Sequence, residues 1–200
     1  MPCFYLKETD AVFIHNPKTG GRTIRETIWP DKTGPFQGYI PAEYRDKFKF
    51  TFVRNPYDRF ISAWKYCISQ TRYKTSLLDD PELFFSIVAK NSNHYFWDCT
   101  IYDNFKGCKT SFAVHHASPQ SDPFYMICET DFVGRFENFQ EDFNTVCDML
   151  SIKRVELRHP KKYKTDHLHY SEYFKDKEFT ERVTEFYKED FEKFGYDTLI

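Results

Sequence analysis

Residues 13–23, FIHNPKTGGRT, constrain the fold more than any other stretch of the chain. The run AVFIH at 11–15 has the length and apolar character of a short buried strand. Asn16-Pro17 ends it, because proline brings no N–H to a ladder and keeps the residue before it out of the helical region. Gly20 and Gly21 then make a turn, and RTIRETIW reads as a helix that opens near Gly21 and closes before Pro30. A strand, a glycine turn and a helix start bring several backbone N–H groups to one point, with the positive end of the helix dipole behind them. Lys18 and Arg22 add charge, Thr19 and Thr23 add hydroxyls, and the glycines permit a close approach to the backbone. The pattern forms a cradle for a phosphate-sized anion. It is not a Walker A loop, which needs a Gly-Lys pair that this chain lacks. An ordinary turn carrying surface charges fits the same residues, so this stretch alone leaves both readings open.

The same architecture recurs further on. KFKFTFV at 47–53 alternates Lys and Phe and then turns wholly apolar, as a strand entering a core does. Arg54 stands at its end. Asn55 is a good helix N-cap, Pro56 suits the first helical position, and Asp58 falls in the favourable first turn. The helix that follows places Phe60, Ile61, Trp64, Cys67 and Ile68 on one face. A guanidinium at a strand end can hold a phosphate with two parallel bonds. Ser62 lies two turns into the helix, and Arg59 falls between them as a second anion ligand or as half of an ion pair. An Arg54 paired with a core carboxylate is the plainer alternative. Two anion-ready turns in one small chain point to a ligand with two separated phosphate groups.

The remaining pattern is that of an α/β layer fold with a central, mainly parallel sheet flanked by helices. DKTGPFQG at 31–38 reads as a loop, 81–90 as a helix, and 92–122 as an irregular segment suited to a substrate loop. FYMIC at 124–128 and FVG at 132–134 read as short strands. Phe139, Phe143, Val146, Cys147 and Leu150 recur at helical spacing, as do Phe179, Val183, Phe186, Tyr187, Phe191 and Phe194 in a last helix over 178–194 that Gly195 stops.

A length of 200 residues suits one domain, 1–200, with a real core. Aromatic residues make up 20% of the chain, which implies a core built largely from rings or a ring platform for a sugar or base. The formal net charge of −2 gives no global basic field, so a nucleic-acid partner is not expected and any anion site must be local. Six cysteines include no C-x-x-C pair, which argues against a zinc knuckle. Cys99 and Cys108 flank a short loop and would pair only in an oxidising compartment. No signal-peptide core or membrane-length apolar run is present, so a soluble, cytoplasmic protein is expected.

HNPKTGGRT followed by FKFTFVRNPYDRFISAW resembles the carbohydrate sulfotransferases that use 3′-phosphoadenosine-5′-phosphosulfate (PAPS), in particular the heparan 2-O- and chondroitin-type branch and its small microbial relatives. HHASPQ with DFVGRFENFQEDF, and HYSEYF with VTEFYKEDFEKFGY, continue the resemblance in order through nearly the whole chain. The resemblance implies a sulfotransferase fold related to P-loop nucleotide kinases. It also implies transfer of a sulfuryl group from PAPS to a hydroxyl or amine of a glycan or small hydroxylated acceptor, without a metal. Lys18, Thr19, Gly20, Gly21, Arg22 and Thr23 match the loop for the 5′-phosphosulfate, with Lys18 at the departing phosphate. Arg54 and Ser62 match the site for the 3′-phosphate.

Several relatives carry a histidine where this chain has Tyr39, and tyrosine as a residue type is a poor base at neutral pH. His116 is the first candidate for the base, from its match to a His-x-x-Pro element, with His115 and Glu43 next. His15, on the first strand, is expected to brace the turn from beneath. Arg22 stands where many relatives carry Thr or Ser, and Lys162, Lys164 and Thr165 either close over the nucleotide or form a solvated loop. Two other functions remain open: a nucleotide-binding module without catalysis, and a kinase-like phosphotransferase, which the absent Gly-Lys pair disfavours.

Overall fold

The computed structural model describes residues 2–25, 29, 31–37, 39–70, 80–92, 104–105, 108–157 and 166–200. The described chain forms two compact units, Met1–Arg54 with Gln120–Lys164, and Asn55–Pro119 with Thr165–Ile200.

The first unit is built on a five-stranded sheet. Its strands are β1 (Pro2–Leu6), β2 (Ala11–Ile14), β3 (Lys32–Gln37), β4 (Phe48–Val53) and β7 (Phe132–Arg135), in the order β3-β1-β2-β4-β7. β2, β4 and β7 run parallel, with Phe13 opposite Phe50 and Phe50 opposite Phe132. β1 is antiparallel to both β2 and β3, so β3 again runs with the parallel set. β2 is buried along its whole length, as a central parallel strand covered on both faces must be. Helix α5 (Phe139–Met149) covers the sheet through Phe143, Val146 and Cys147, which pack with Phe13, Trp29, Phe50 and Phe52. Trp29 sets its ring edge-on to Phe143 at 5.6 Å.

The second unit is mainly helical. It contains α2 (Pro56–Gln70), α3 (Pro81–Asn91), a small hairpin of β5 (Asn104–Phe105) and β6 (Cys108–Lys109), α4 (Thr110–Ala117), α6 (Lys177–Phe186) and α7 (Lys188–Phe194). Asn55 caps α2 as its sequence suggests: Oδ1 accepts from Tyr57 N at 3.0 Å and from Asp58 N at 3.4 Å. Asp80 and Asp176 cap α3 and α6 in the same way. Each such cap is worth about 1 kcal/mol. Phe60 sits among the rings of Phe84, Phe85, Phe174, Phe179 and Tyr187. The high aromatic content therefore builds two ring-rich cores, one in each unit.

Four expectations change. The 31–38 loop contains strand β3; Gly34 and Pro35 are tolerated there because β3 is an edge strand and needs hydrogen bonds on one side only. FYMIC is not a strand but part of two short 3₁₀ turns, Pro123–Tyr125 and Ile127–Glu129. Asp122 accepts from Phe124 N at 2.8 Å and Pro123 follows it, so turn chemistry outweighs an apolar run; Tyr125 and Ile127 are still buried. The segment 92–122 is not irregular throughout, since α4 and the hairpin lie within it. The last helix divides at Tyr187, whose buried hydroxyl donates to the Ala117 carbonyl. Gly195 ends α7 in the left-handed region at φ 63°, as a C-terminal stop should. Cys99, Lys162, Lys164 and Thr165 lie outside the described residues, so the Cys99–Cys108 pairing does too.

Candidate active site

The turn after β2 is tightly tied. Thr19 Oγ1 donates to the Asn16 carbonyl at 2.8 Å, and Thr23 N donates to Gly20 O at 2.9 Å. Thr51 on β4 donates to Ile14 O at 2.7 Å and anchors the strand end from which the turn departs. Two residues of the turn have positive φ: Lys18 at 67° and Gly20 at 80°. For Gly20 this costs little. For Lys18 it is an uncommon state, costing on the order of 1 kcal/mol and kept only where surrounding contacts enforce it.

The glycines answer to what lies beneath them. A Cβ on Gly20 would come within 2.6 Å of Phe139 Cζ, and one on Gly21 within 2.1 Å of His15 Cδ2. The turn thus rests on Phe139 of α5 and on the ring of His15, which lies one residue beyond the end of β2 and braces the turn from beneath. Helix α1 opens at Gly21, and the chain stays helical through Arg25, the last described residue of this stretch. What the turn offers an anion is its backbone N–H groups and the half-exposed Lys18. Thr19 and Thr23 are buried, the Thr19 hydroxyl proton already serves Asn16, and Arg22 is exposed.

Arg54 comes to this turn. Its Nη1 donates to the Lys18 carbonyl at 3.2 Å, and its guanidinium lies over the Phe136 ring, 4.3 Å from the centroid. The stacking holds the planar group in place and leaves its charge in force. The two stretches that the sequence marks as separate anion sites therefore meet, with the Lys18 and Arg54 side chains both half-exposed. Arg54 N–H donates to Gln120 Oε1 at 3.0 Å, and Gln120 Nε2 donates to Arg54 O at 2.8 Å. Asn16 Nδ2 donates to the same Oε1 at 3.0 Å and to Phe52 O at 3.2 Å.

In the second unit, Arg59 and Ser62 lie one helical turn apart on α2, both buried. The Arg59 guanidinium is buried, and its Nη1 donates to Ser118 O at 2.7 Å. His116, on the last turn of α4, packs against the Phe112 and Tyr66 rings. Its Nδ1 lies 2.8 Å from the Phe112 carbonyl. A carbonyl only accepts, so Nδ1 carries the proton, and Nε2 is the nitrogen able to act as a base. Burial, aided by the Arg59 cation, pushes His115 down to about 4, which keeps it neutral at pH 7. Tyr39 is well exposed and Glu43 is exposed in the short 3₁₀ turn Ala42–Tyr44. Among the described residues no group of His, Cys, Asp and Glu is placed to hold a metal ion, and no helix is long and apolar enough to cross a membrane.

Asn16, Gln120 and Phe136 lie in stretches that carry the family resemblance, yet none of them has a part in the site as read from sequence. Asn16 reads as a strand breaker, Gln120 as one letter of HHASPQ, and Phe136 as a start to the α5 stripe; only folding reveals that all three serve the two loops.

The chain matches the Sulfotransferase family over residues 13–197, a span that runs through both units. No curated protein and no solved structure shows a match to it. The match begins at the first residue of FIHNPKTGGRT and takes in both strand-to-helix turns: the chain belongs to the sulfotransferase family, which includes the carbohydrate sulfotransferases.

Proposed function

We propose that this chain moves a sulfuryl group from PAPS to a hydroxyl or amine of a carbohydrate or other small acceptor, with both units forming one sulfotransferase domain. The observation that carries the reading is the hydrogen bond from Arg54 to the Lys18 carbonyl. It brings the strand end suited to a 3′-phosphate beside the loop suited to a 5′-phosphosulfate, so that one donor carrying both groups could meet both.

The residues fit such a donor. The missing Cβ atoms at Gly20 and Gly21 let the turn pack down on Phe139 and His15, so that its peptide groups hold one shape before any ligand arrives. When bound, PAPS supplies a sulfur centre whose bond to the bridging oxygen breaks as the acceptor oxygen bonds to it, leaving adenosine 3′,5′-bisphosphate. The Lys18 ammonium faces the phosphate that gains charge and stabilises it, as preorganised cations do in phosphoryl transfer. The backbone of Thr19, Gly20, Gly21, Arg22 and Thr23 holds the 5′ end, with the Arg22 cation adding attraction at the rim. Arg54 and Ser62 hold the 3′-phosphate, which separates this donor from ATP. His116 takes the acceptor proton at Nε2, the nitrogen that its Phe112 hydrogen bond leaves basic. By its resemblance to the family the reaction needs no metal.

Calorimetry without metal tests the donor: adenosine 3′,5′-bisphosphate should bind tightly and ATP weakly, and equal affinities would overturn the 3′-phosphate assignment. Lys18→Ala should fold and bind the bisphosphate yet lose about 10²–10³-fold in transfer rate, the usual scale for one oxyanion donor. A rate near that of the parent chain would remove Lys18 from the reaction. His116→Ala should lose about 10²-fold or more, as a missing general base does, while Tyr39→Phe stays active; the reverse result would move the base to Tyr39.

A further inference from the structure

We infer that Gln120 is a positioning residue that sets the spacing between the two anion loops. This rests on the donor reading above and adds to it a group that touches neither phosphate nor sulfur.

The Gln120 side chain is fully buried, and its amide is used on both sides. Arg54 lies one residue beyond the β4–β7 ladder, whose last pair is Val53 with Arg135. There the side-chain amide of Gln120 stands in for a neighbouring strand. It accepts from Arg54 N–H at 3.0 Å and donates to Arg54 C=O at 2.8 Å. The same Oε1 accepts from Asn16 Nδ2 at 3.0 Å. Asn16 in turn holds the other loop, because its carbonyl accepts from Thr19 Oγ1. The second Asn16 amide proton goes to Phe52 O, so the orientation of this amide is settled: both neighbours are acceptors, and only the NH₂ end can face them.

A closed circuit results. It runs from Gln120 to the Arg54 backbone, from the Arg54 guanidinium to the Lys18 carbonyl, along the turn to Asn16, and back to Gln120. Loosening Gln120 frees both the residue that meets the 3′ end and the turn that meets the 5′ end. A displacement of about 1 Å in such a site is enough to cost on the order of 10²-fold in rate.

Two near-isosteric variants separate the amide's contributions. Gln120→Met keeps the length and removes the bonds to Arg54 N, Arg54 O and Asn16 Nδ2. It should bind adenosine 3′,5′-bisphosphate about tenfold or more weakly, the scale of leaving buried polar groups unmade. Adenosine 5′-monophosphate, which has no 3′ group for Arg54, should weaken too, because the circuit reaches the 5′ loop. Gln120→Glu keeps both acceptor bonds and lacks the proton for Arg54 C=O. Its affinity, taken relative to the parent chain at each pH, should therefore rise as pH falls and the carboxyl protonates. Because a carboxylate beside the site also repels the phosphates, the uncharged Gln120→Met is the variant that isolates the lost bonds.

If the parent chain binds the bisphosphate and both variants match it at every pH, the Gln120 inference is overturned and the donor reading stands. If the parent chain does not bind it, the donor reading itself is overturned. Should Gln120→Met fail to fold, the uncharged Gln120→Asn, one methylene shorter, decides: binding about tenfold weaker supports the inference, and binding equal to the parent chain's overturns it.

Discussion

Gly21→Ala tests the packing beneath the anion turn. Helix propensity alone favours the change by up to about 1 kcal/mol, since Gly21 has ordinary helical φ and alanine is the better helix former. The structure predicts the opposite sign. The added Cβ would lie 2.1 Å from His15 Cδ2 and 2.7 Å from Nε2, where carbon contacts settle near 3.5–4.0 Å. An overlap of more than 1 Å with a ring cannot be relieved by bending a flexible tip. The His15 ring must move, and it stacks on Phe13 with centroids 5.9 Å apart. Overpacking of this kind costs about 1–3 kcal/mol; the middle of that range, less the propensity gain of about 1 kcal/mol, leaves a net loss of about 1 kcal/mol. In a His15→Ala background the clash disappears and Gly21→Ala should become neutral or stabilising. The double-mutant coupling should then be about 2 kcal/mol. Urea unfolding of the four proteins, followed by tryptophan fluorescence, gives the cycle, and calorimetry with adenosine 3′,5′-bisphosphate shows whether the displaced turn also loses affinity. A Gly21→Ala protein as stable as its parent, or additive effects in the double mutant, would refute the claim that His15 supports the turn.

Two further tests concern the second unit. His115 is held near 4 in the folded chain, below the ordinary value of about 6.5. Its stabilising contribution is therefore complete above pH 6.5 and is lost as pH falls towards 4, by up to about 1.4 kcal/mol per pH unit. The stability difference between the parent chain and His115→Gln, measured by urea unfolding at pH 7, 5.5 and 4.5, should shift in favour of the variant as pH drops, and parallel curves would contradict the burial argument. Arg59→Met should destabilise by about 1.5–3 kcal/mol, the scale of a buried charge-assisted hydrogen bond. A change within about 0.5 kcal/mol would mean that Arg59 behaves as a surface residue.

Local signals in this chain were reliable where the chemistry is local. Asn55-Pro56 predicts the cap and first position of α2, and those residues occupy them, because a side-chain oxygen two or three residues from its N–H partners needs no distant support. Strands β2 and β4 were legible for a similar reason: four to seven consecutive apolar or alternating residues have few other ways to be buried. Segments whose state depends on distant partners were harder. Gly34 and Pro35 look like a loop until β1 makes β3 an edge strand, and the last helix looks continuous although the backbone leaves the helical path at Tyr187, at φ −103° and ψ 15°.

By itself the sequence determined the chemistry available to this protein: two strand-to-helix turns, each with its cation, and a family pattern extending over both compact units. The tertiary structure decided which groups cooperate. It seated the glycines on Phe139 and His15, brought Arg54 to the Lys18 carbonyl, and made Gln120, 66 residues further along the chain than Arg54, the shared partner of both loops. The physical reason is that a buried amide or guanidinium must find its hydrogen bonds wherever folding brings partners within about 3 Å, and separation along the chain carries no record of that distance.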